Sequence, residues 1–251
     1  MREDTDIGGP ARAFPATRLS LIVAAGGPDE AARRHAFETL IAVYWKPLYG
    51  RLRIRWQIDS EEAKDLTQEF FSAAMERGFF DGYDPGRARF RTFLKVCLDH
   101  FAANARRAAN RVKRGGGATI LPLDFAGADH EFARTGNVAE VDAEAHFRQE
   151  LARALLGLAV DALRAQCETE NLALRFRLFE QYDLDPAGGP ERPSYKALAA
   201  LHGLPVTQVT NHLAWARREF RRHVLAALRS LTGSEEEFRL EVRELLGVDP
   251  P

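Results

Sequence analysis

Residues 194–220 read SYKALAALHGLPVTQVTNHLAWARREF and carry the clearest structural signal in the second half of the chain. Apolar residues recur every three or four positions on either side of Gly203, and Ser194 is placed to cap the first helix. Gly203 can adopt the positive φ of a tight turn, Ala199 permits a close helix crossing, and Val209 is spaced to close the core. The stretch therefore predicts two helices joined by a tight turn.

The second helix of this pair is amphipathic and has the composition of a recognition helix. We expect one apolar stripe to be buried, made of Val209, Leu213, Ala216, Phe220 and Val224. Side chains near the helix start face outward, where they can meet base edges: Gln208, Thr210, Asn211, Ala214 and Trp215. A basic cluster that can reach phosphates follows: Arg217, Arg218, Arg221 and Arg222. An ordinary helical hairpin with a solvated basic face is the alternative, but the turn spacing together with the arginines favours DNA binding.

In the first half of the chain, residues 65–71 read DLTQEFF and belong to a helix with an acidic stripe. Glu62, Asp65 and Glu69 stand at i, i+3 and i+7, so they line one face while apolar residues pack beneath them. Taken alone, three acids on one helix face are most simply a solvated surface. They belong to no histidine-containing or metal-ligand pattern, so they do not indicate catalysis.

A basic segment with interspersed aromatic residues follows at residues 85–114. It contains nine basic residues against a single acid, Asp99, which gives a local balance of +8. Such a segment is the electrostatic footprint of phosphate binding, and its aromatic rings can stack on unpaired bases. The alternative is that Phe93 and Phe101 serve only the core. The basic residues are Arg87, Arg89, Arg91, Lys95, Arg106, Arg107, Arg111, Lys113 and Arg114.

Composition limits the class of protein. The 251 residues carry a net charge of −1 and can form two small domains or one larger one. Cys97 and Cys167 belong to no metal-ligand spacing, which favours a reduced, cytoplasmic protein without structural disulfides or zinc. No apolar run approaches the roughly 18 residues of a membrane span, and the acidic start lacks the features of a signal peptide. We therefore expect a soluble protein that binds no membrane and needs no cofactor.

Helical periodicity from Leu19 onward, without alternating strand patterns, predicts an all-α protein. The clearest interruption begins at Gly115-Gly116-Gly117 and continues to about Asp142. The expected divisions are a flexible tail at 1–18, a first helical domain at 19–114, a flexible linker at 115–142, and a second domain at 143–251 with the helix-turn-helix at about 194–229.

The C-terminal residues predict one further helix. Ser234 and Glu237 form a capping box, and apolar residues follow at helical spacing at Phe238, Val242, Leu245 and Leu246. We expect this helix to cover the second domain, and a regulatory role is the alternative.

Four motifs, taken in this order, resemble those of a bacterial RNA polymerase sigma factor of the extracytoplasmic-function (ECF) type. They are DLTQEFF at 65–71, FRTFL at 90–94, KRGGG at 113–117 and the helix-turn-helix followed by Arg217-Arg218. The resemblance covers most of residues 25–230. It implies two helical domains joined by a flexible linker: region two, which binds the polymerase clamp and opens the minus-ten element, and region four, which binds the minus-thirty-five element and the polymerase flap.

The resemblance also implies roles for individual residues. The positions on the clamp-binding helix are Glu62, Asp65, Gln68 and Glu69. Those assigned to minus-ten DNA are Arg91, Phe93, His100, Asn104, Arg106, Arg107, Arg111, Lys113 and Arg114, with His100 and Asn104 on the helix that captures an extruded base. Those assigned to minus-thirty-five DNA are Gln208, Thr210, Asn211, Ala214, Trp215, Arg217 and Arg218. His100 stands where the family often has asparagine and Phe93 where it often has tryptophan, so the promoter sequence does not carry over.

The expected function is that of a promoter-specificity subunit, not an enzyme, because the polymerase would perform the chemistry. Its expected partners are core RNA polymerase, through clamp and flap, and promoter DNA as duplex and as melted strand; an anti-sigma factor or kinase is left open. One alternative is a helix-turn-helix regulator that does not bind polymerase, which would need neither the acidic stripe nor the basic segment. A nucleic-acid enzyme such as a recombinase lacks support, because the spacing of the residues indicates no serine or tyrosine nucleophile among the arginines.

Overall fold

A computed structural model describes residues 21–109, 123–134, 140–184 and 193–249. Every regular element in these ranges is a helix, which confirms the all-α prediction. The predicted tail, Arg111, Lys113, Arg114 and the glycines at 115–117 lie outside the described residues. The α-helices are α1 (Leu21–Ala25), α2 (Glu30–Arg55), α3 (Ser60–Arg77), α4 (Phe90–Ala109), α5 (Phe125–Arg134), α6 (Ala143–Thr169), α7 (Ala173–Phe179), α8 (Tyr195–His202), α9 (Val206–Ser230) and α10 (Glu235–Glu241). A 3₁₀ turn lies at Phe79–Gly82, and π-helical turns lie at Glu180–Leu184 and Val242–Leu246.

Local capping signals set the boundaries of the first long helices. At the start of α2, the Asp29 carboxylate accepts hydrogen bonds from the amides of Ala31 and Ala32 at 3.0 and 3.2 Å. The Asp59 carboxylate caps α3 in the same way, accepting from the amide of Glu62 at 2.9 Å. The α3 helix ends at Gly78, whose φ of 61° is the left-handed conformation that favours glycine at this position.

The larger of two hydrophobic cores is built from α2, α3 and α4, with contributions from the far end of the chain. Its largest fully buried side chains are Tyr49, Phe70, Phe71, Phe90, Phe147 and Phe238. Full burial of one such apolar side chain is worth roughly 1.5–3 kcal/mol. The presence of Phe147 and Phe238 means that the start of α6 and the α10 helix belong to this core.

The smaller core supports the helix-turn-helix. It joins residues of α6 and α7 to the facing sides of α8 and α9, with Leu163, Phe179, Leu198, Val209 and Leu213 among its buried members. Both α6 and α9 therefore pass through the two cores as continuous helices. The predicted domain boundary before residue 143 does not coincide with the division between the cores.

Part of the predicted linker forms the α5 helix. The Phe125 ring packs 5.4 Å from that of Tyr49 on α2, and the Phe132 ring lies 5.9 Å from the same residue. Asp124 caps the helix by accepting from the Gly127 amide at 2.9 Å. The prediction of an irregular segment was wrong for these residues, because two large apolar side chains seven positions apart give too little periodicity to detect.

The C-terminal helix packs in the larger core against α6 and α9, which belong to the predicted second domain, and it also reaches the start of α4. Phe238 and Val242 are buried in that core. The Glu237 carboxylate accepts hydrogen bonds from the amide of Phe90, the first residue of α4, at 2.6 Å and from the hydroxyl of Tyr83 at 2.9 Å. The expected contact with the second domain is therefore present through α6 and α9. The additional contact with α4 was not predicted, because hydrophobic spacing shows that a face is buried but not against which partners.

A polar cluster around Asp129 holds α5 in place and gives the fold a predicted pH dependence. Burial alone would raise the pKa of Asp129, but hydrogen bonds from Ser60, Tyr49 and Lys64 lower it to about 2. Since the carboxylate of the unfolded chain titrates near its ordinary value of 3.8, this contribution is complete above about pH 4 and is lost as pH falls toward 2. We expect Asp129→Asn to lower the free energy of unfolding by about 1–2 kcal/mol at pH 6, after allowance for solvent screening.

Urea unfolding of the parent chain and the Asp129→Asn variant at pH 6, 4 and 2.5 measures this effect. The difference between the two chains should shrink as pH falls, because the parent carboxylate becomes protonated. A difference that does not change with pH would contradict the assigned role of the carboxylate charge.

Candidate nucleic-acid interface

The helix-turn-helix has the geometry that its sequence predicts. The Ser194 hydroxyl oxygen accepts from the Ala197 amide at 3.1 Å and caps α8. Gly203 ends that helix with φ of 64°, and the Leu204 amide donates to the carbonyl of Ala199 at 2.9 Å. The left-handed φ explains why glycine occupies this position. The predicted cap and turn are therefore confirmed.

The α9 helix separates a buried face from an open one as predicted. Val209, Leu213, Ala216 and Val224 are buried, and Phe220 is half-buried. On the other face Gln208, Thr210, Asn211 and Ala214 are exposed, and Trp215 is half-buried. The side chains assigned to base edges are therefore open to a ligand, although the Thr210 hydroxyl donates back to the Val206 carbonyl at 3.1 Å.

Arg175 extends this face from a neighbouring helix. Its guanidinium carbon lies 4.6 Å from the centre of the Trp215 ring, a cation–π geometry. Burial lowers the pKa of His212, and the positive charge of Arg175 lowers it further. Among the described residues, no acid forms an ion pair with Arg175. Together these side chains line a shallow groove made of Arg175, Gln208, Asn211, His212, Ala214, Trp215 and Arg218.

No feature of the sequence around Arg175 marks it as part of this face. The arginine lies on α7, more than thirty residues before α9, and only the packing of the two helices brings it to Trp215. Local spacing rules therefore could not assign it.

The arginines along α9 differ in their freedom to bind phosphate. The guanidinium of Arg217 forms a two-point ion pair with Asp183, from Nε at 2.9 Å and Nη2 at 3.0 Å. These bonds raise the pKa of Arg217 and hold its side chain against the π-helical turn. Arg222 Nη2 lies 2.8 Å from Glu219. The side chain of Arg218, by contrast, is 69% exposed. Its Nε lies as far as 3.9 Å from the nearest carboxylate, that of Glu219, so this ion pair is weak. The assignment of Arg217 to phosphate is therefore not supported in this conformation.

The acidic stripe on α3 is an open surface. Glu62, Asp65 and Glu69 are exposed, and Gln68 is half-buried. Beneath them Leu66 and Phe70 are buried, as the helical spacing predicts. In the described parts of the chain, no basic side chain pairs with the three carboxylates, whereas their neighbour Glu61 pairs with Lys64 at 2.7 Å.

The α4 helix presents two of its predicted DNA-binding residues to solvent. Its buried face is formed by Phe90, Leu94, Leu98 and Ala102. The opposite face carries Val96, His100 and Asn104 at successive intervals of four residues, all exposed. Phe93 and Phe101 are half-buried and pack on the rings of Tyr83 and Phe70 at 5.4 and 5.8 Å. The aromatic residues of this segment therefore serve mainly the core.

The positive charge at the start of α4 is neutralised within the molecule. Arg91 is only 7% exposed, with Nε 2.9 Å from Glu241 and Nη2 bonded to Glu244. Arg89 Nη1 lies 2.7 Å from the same Glu244. Lys95 Nζ lies 2.5 Å from Glu144 at the start of α6. In this conformation Arg91 is therefore occupied by carboxylates from some 150 residues away, which a local charge count does not include, and its assignment to DNA stays a prediction.

Two basic residues near the end of α4 have no acidic partner among the described residues. Arg106 donates to the Trp56 carbonyl at 3.1 Å, and its guanidinium carbon lies 5.5 Å from that ring. Arg107 donates to the Ala103 carbonyl of its own helix at 3.3 Å. Both are exposed, so an anionic ligand can reach them. The residues of α4 that were assigned to minus-ten DNA and are exposed in the structure are therefore His100, Asn104, Arg106 and Arg107.

In the ranges that the structure describes, no group of three or more His, Cys, Asp or Glu side chains is arranged to hold a metal ion. No helix in the same ranges combines the length and the apolar character needed to cross a membrane. Comparisons with protein-family models, with curated proteins and with solved structures found no match to this chain.

Proposed function

We propose that the chain is a promoter-specificity subunit of bacterial RNA polymerase, a sigma factor of the ECF type. The observation that carries the proposal is the exposed acidic stripe of Glu62, Asp65 and Glu69 in a chain that also contains a helix-turn-helix. A surface of three carboxylates that have no basic partner in the described ranges is suited to a basic protein partner, because complementary charge steers and fixes the encounter of two proteins. A DNA-binding domain alone does not require such a surface.

In this proposal the molecule contributes binding energy and the polymerase contributes the chemistry. The α3 stripe docks on a basic surface of the polymerase core. The α9 helix enters the major groove of the minus-thirty-five element, with Thr210 and Asn211 facing base edges. His100 and Asn104 on α4 form the polar surface that holds a base extruded from the minus-ten element, which offsets the few kcal/mol needed to unstack it.

The described arrangement fits a resting state of such a factor. The two promoter elements lie about 25 base pairs apart, which at 3.4 Å per base pair is about 85 Å. A compact chain of this length has a radius of gyration of about 18 Å. The parts of the molecule that contact the two elements would therefore have to separate on the promoter, which requires α6 or α9 to leave one of the two cores.

A second candidate is a DNA-binding regulator that does not bind polymerase. The packing of α6 and α9 through both cores favours it, because a compact regulator can use the open face of α9 without any rearrangement. The neutralised cations at the start of α4 would then be structural. The acidic stripe has no role in this alternative.

Co-elution with core polymerase distinguishes the two candidates. The purified chain is mixed with bacterial core polymerase and separated by size-exclusion chromatography at moderate salt. A sigma factor elutes with the core in a one-to-one complex, and an excess of an established sigma factor displaces it. Elution of the chain only at its own volume, while it still binds duplex DNA, would favour the regulator.

The arginines around α9 provide a separate prediction for duplex binding. We expect Arg218→Ala and Arg175→Ala each to weaken binding to every DNA sequence. Each should also make the slope of log K against log salt concentration shallower by about 0.9, the value for one lost phosphate contact. Arg217→Ala should leave the slope nearly unchanged, because its guanidinium is already paired with Asp183.

Fluorescence anisotropy across a salt series measures these slopes, with Arg148→Ala as control because Arg148 is exposed on α6 outside the groove. If Arg217→Ala reduced the slope while Arg218→Ala did not, the assignment of phosphate contacts would be reversed.

A further inference from the structure

The start of α4 forms an anion-binding surface that the end of the chain already occupies. This surface consists of the Phe90 amide, the Tyr83 hydroxyl and the guanidinium groups of Arg89 and Arg91. Its occupant is the C-terminal segment, defined here as residues 234–246. Three carboxylates of that segment lie against the surface, those of Glu237, Glu241 and Glu244.

The chemistry of this surface suits phosphate as well as carboxylate. Free amides at a helix start and planar guanidinium groups are the donors that proteins use for phosphate oxygens. Both arginines also belong to the basic segment that the sequence assigns to nucleic acid. Each position where a phosphate would lie holds a glutamate in this structure.

We propose that the C-terminal segment is a nucleic-acid mimic that competes in cis with the phosphates of single-stranded promoter DNA for Arg89 and Arg91. This inference rests on the proposed function, because it assumes that α4 is the helix that meets the melted strand. It assigns to the C-terminal segment the role of limiting DNA binding by the isolated protein.

The contacts of the segment divide into an apolar anchor and a carboxylate cluster. Phe238 and Val242 are buried in the larger core, so the anchor contributes to folding. The cluster is held less favourably. The Glu241 carboxylate is buried and paired with Arg91 at 2.9 Å, but neither of its oxygens has a hydrogen bond of good geometry. Burial raises the pKa of Glu241, although Arg91 and Arg89 lower it. The desolvation cost of this buried carboxylate opposes docking of the C-terminal segment. A competing anion therefore displaces a segment that is bound less tightly than its contacts suggest.

Competition of this kind couples DNA binding to release of the segment. A ligand that binds only the open surface shifts the population toward the released form, and release in turn strengthens binding of the ligand. The segment also follows directly on α9, which ends at Ser230 after placing Leu228 in the larger core. Release of the segment therefore loosens the connection between α9 and the larger core. Such loosening is needed if the parts of the molecule that contact the two promoter elements are to separate on the DNA.

The test uses the full-length chain and a fluorescent single-stranded 20-nucleotide DNA, without polymerase. We expect the Glu241→Gln/Glu244→Gln variant to bind roughly tenfold more tightly near 0.1 M salt. Its log–log salt slope should be steeper by about 1.4, because two cations become available and each contributes about 0.7 on a single strand.

The matched control is Glu168→Gln/Glu236→Gln, which changes the net charge equally at two exposed glutamates that form no ion pair among the described residues. A control with the same gain as the Glu241/Glu244 variant would overturn the inference, because the effect would then be one of overall charge. Equal DNA binding by the parent chain and the Glu241/Glu244 variant would overturn the inference but would leave the proposed function unaffected. No binding by any of these chains would contradict both the inference and the proposed role of α4.

Replacement of the buried Glu241 can also disturb folding, which circular dichroism and thermal unfolding would detect. The single variant Glu244→Gln avoids this problem, because that carboxylate is 37% exposed and pairs with both arginines. If the double variant fails to fold, the single variant should still show about half of the increase in slope. An unchanged slope in a folded Glu244→Gln variant would overturn the inference.

Discussion

Reversal of both charges in Asp65→Arg/Glu69→Arg is expected to weaken binding to core polymerase at least about 100-fold, because like charges facing each other at an interface cost several kcal/mol. Both carboxylates are exposed and unpaired among the described residues, so the isolated chain should keep its fold. Affinity is measured by titrating labelled chain with core polymerase, and folding by circular dichroism.

The matched control is Glu38→Arg/Glu168→Arg. These glutamates are exposed on α2 and α6, away from the acidic stripe, and reversal changes the net charge by the same amount. The control should bind polymerase with nearly the parent affinity, apart from a small general effect of charge. If the stripe variant bound as tightly as the control, α3 would not be the polymerase-binding helix.

The second large effect concerns melting of the promoter. We expect His100→Ala/Asn104→Ala to slow formation of the open complex about 10- to 100-fold on duplex DNA, because the lost contacts no longer offset the few kcal/mol of base extrusion. On a template that is already mismatched across the bubble, the loss should be several times smaller. Both side chains are exposed, so their removal should not affect the core.

Permanganate reactivity of unpaired thymines measures opening on the duplex template, and the yield of run-off transcript compares both templates, with Gln149→Ala as the control for an exposed polar side chain on another helix. Equal losses on duplex and mismatched templates would assign His100 and Asn104 to general affinity, not to melting.

The sequence predicts those parts of the molecule that depend on neighbouring residues. The cap at Ser194, the left-handed turn at Gly203 and the buried stripe from Val209 onward follow from contacts within a few positions along the chain. The open acidic face of α3 follows in the same way from helical spacing. These predictions concern which residues are buried or exposed, and that is decided largely by local pattern.

What the sequence does not predict is the choice of partners across the fold. Arg91 looks like a free cation until Glu241 and Glu244 are brought beside it, and Arg217 looks free until it meets Asp183. Arg175 joins the recognition face for the same reason. Ion pairs between distant segments depend on how helices pack, and neither local charge nor periodicity contains that information.

The position of the C-terminal helix illustrates the same limit. Its capping box is correct, since the Ser234 hydroxyl oxygen accepts from the Glu237 amide at 3.1 Å. Its apolar face is also buried, with Phe238 in the larger core. The additional contact of this helix with Tyr83 and the start of α4 was not predicted, because an amphipathic pattern is equally satisfied by any apolar surface within reach.

Run-off transcription on a library of bacterial genomic fragments shows whether this chain directs RNA polymerase to promoters. Core polymerase alone is compared with core polymerase plus this chain, and the 5′ ends of the transcripts are sequenced. We expect discrete start sites that require the chain and share two upstream sequence elements with a constant spacing. Transcripts no different from those of core polymerase alone, under conditions in which the chain binds duplex DNA, would contradict the proposed function.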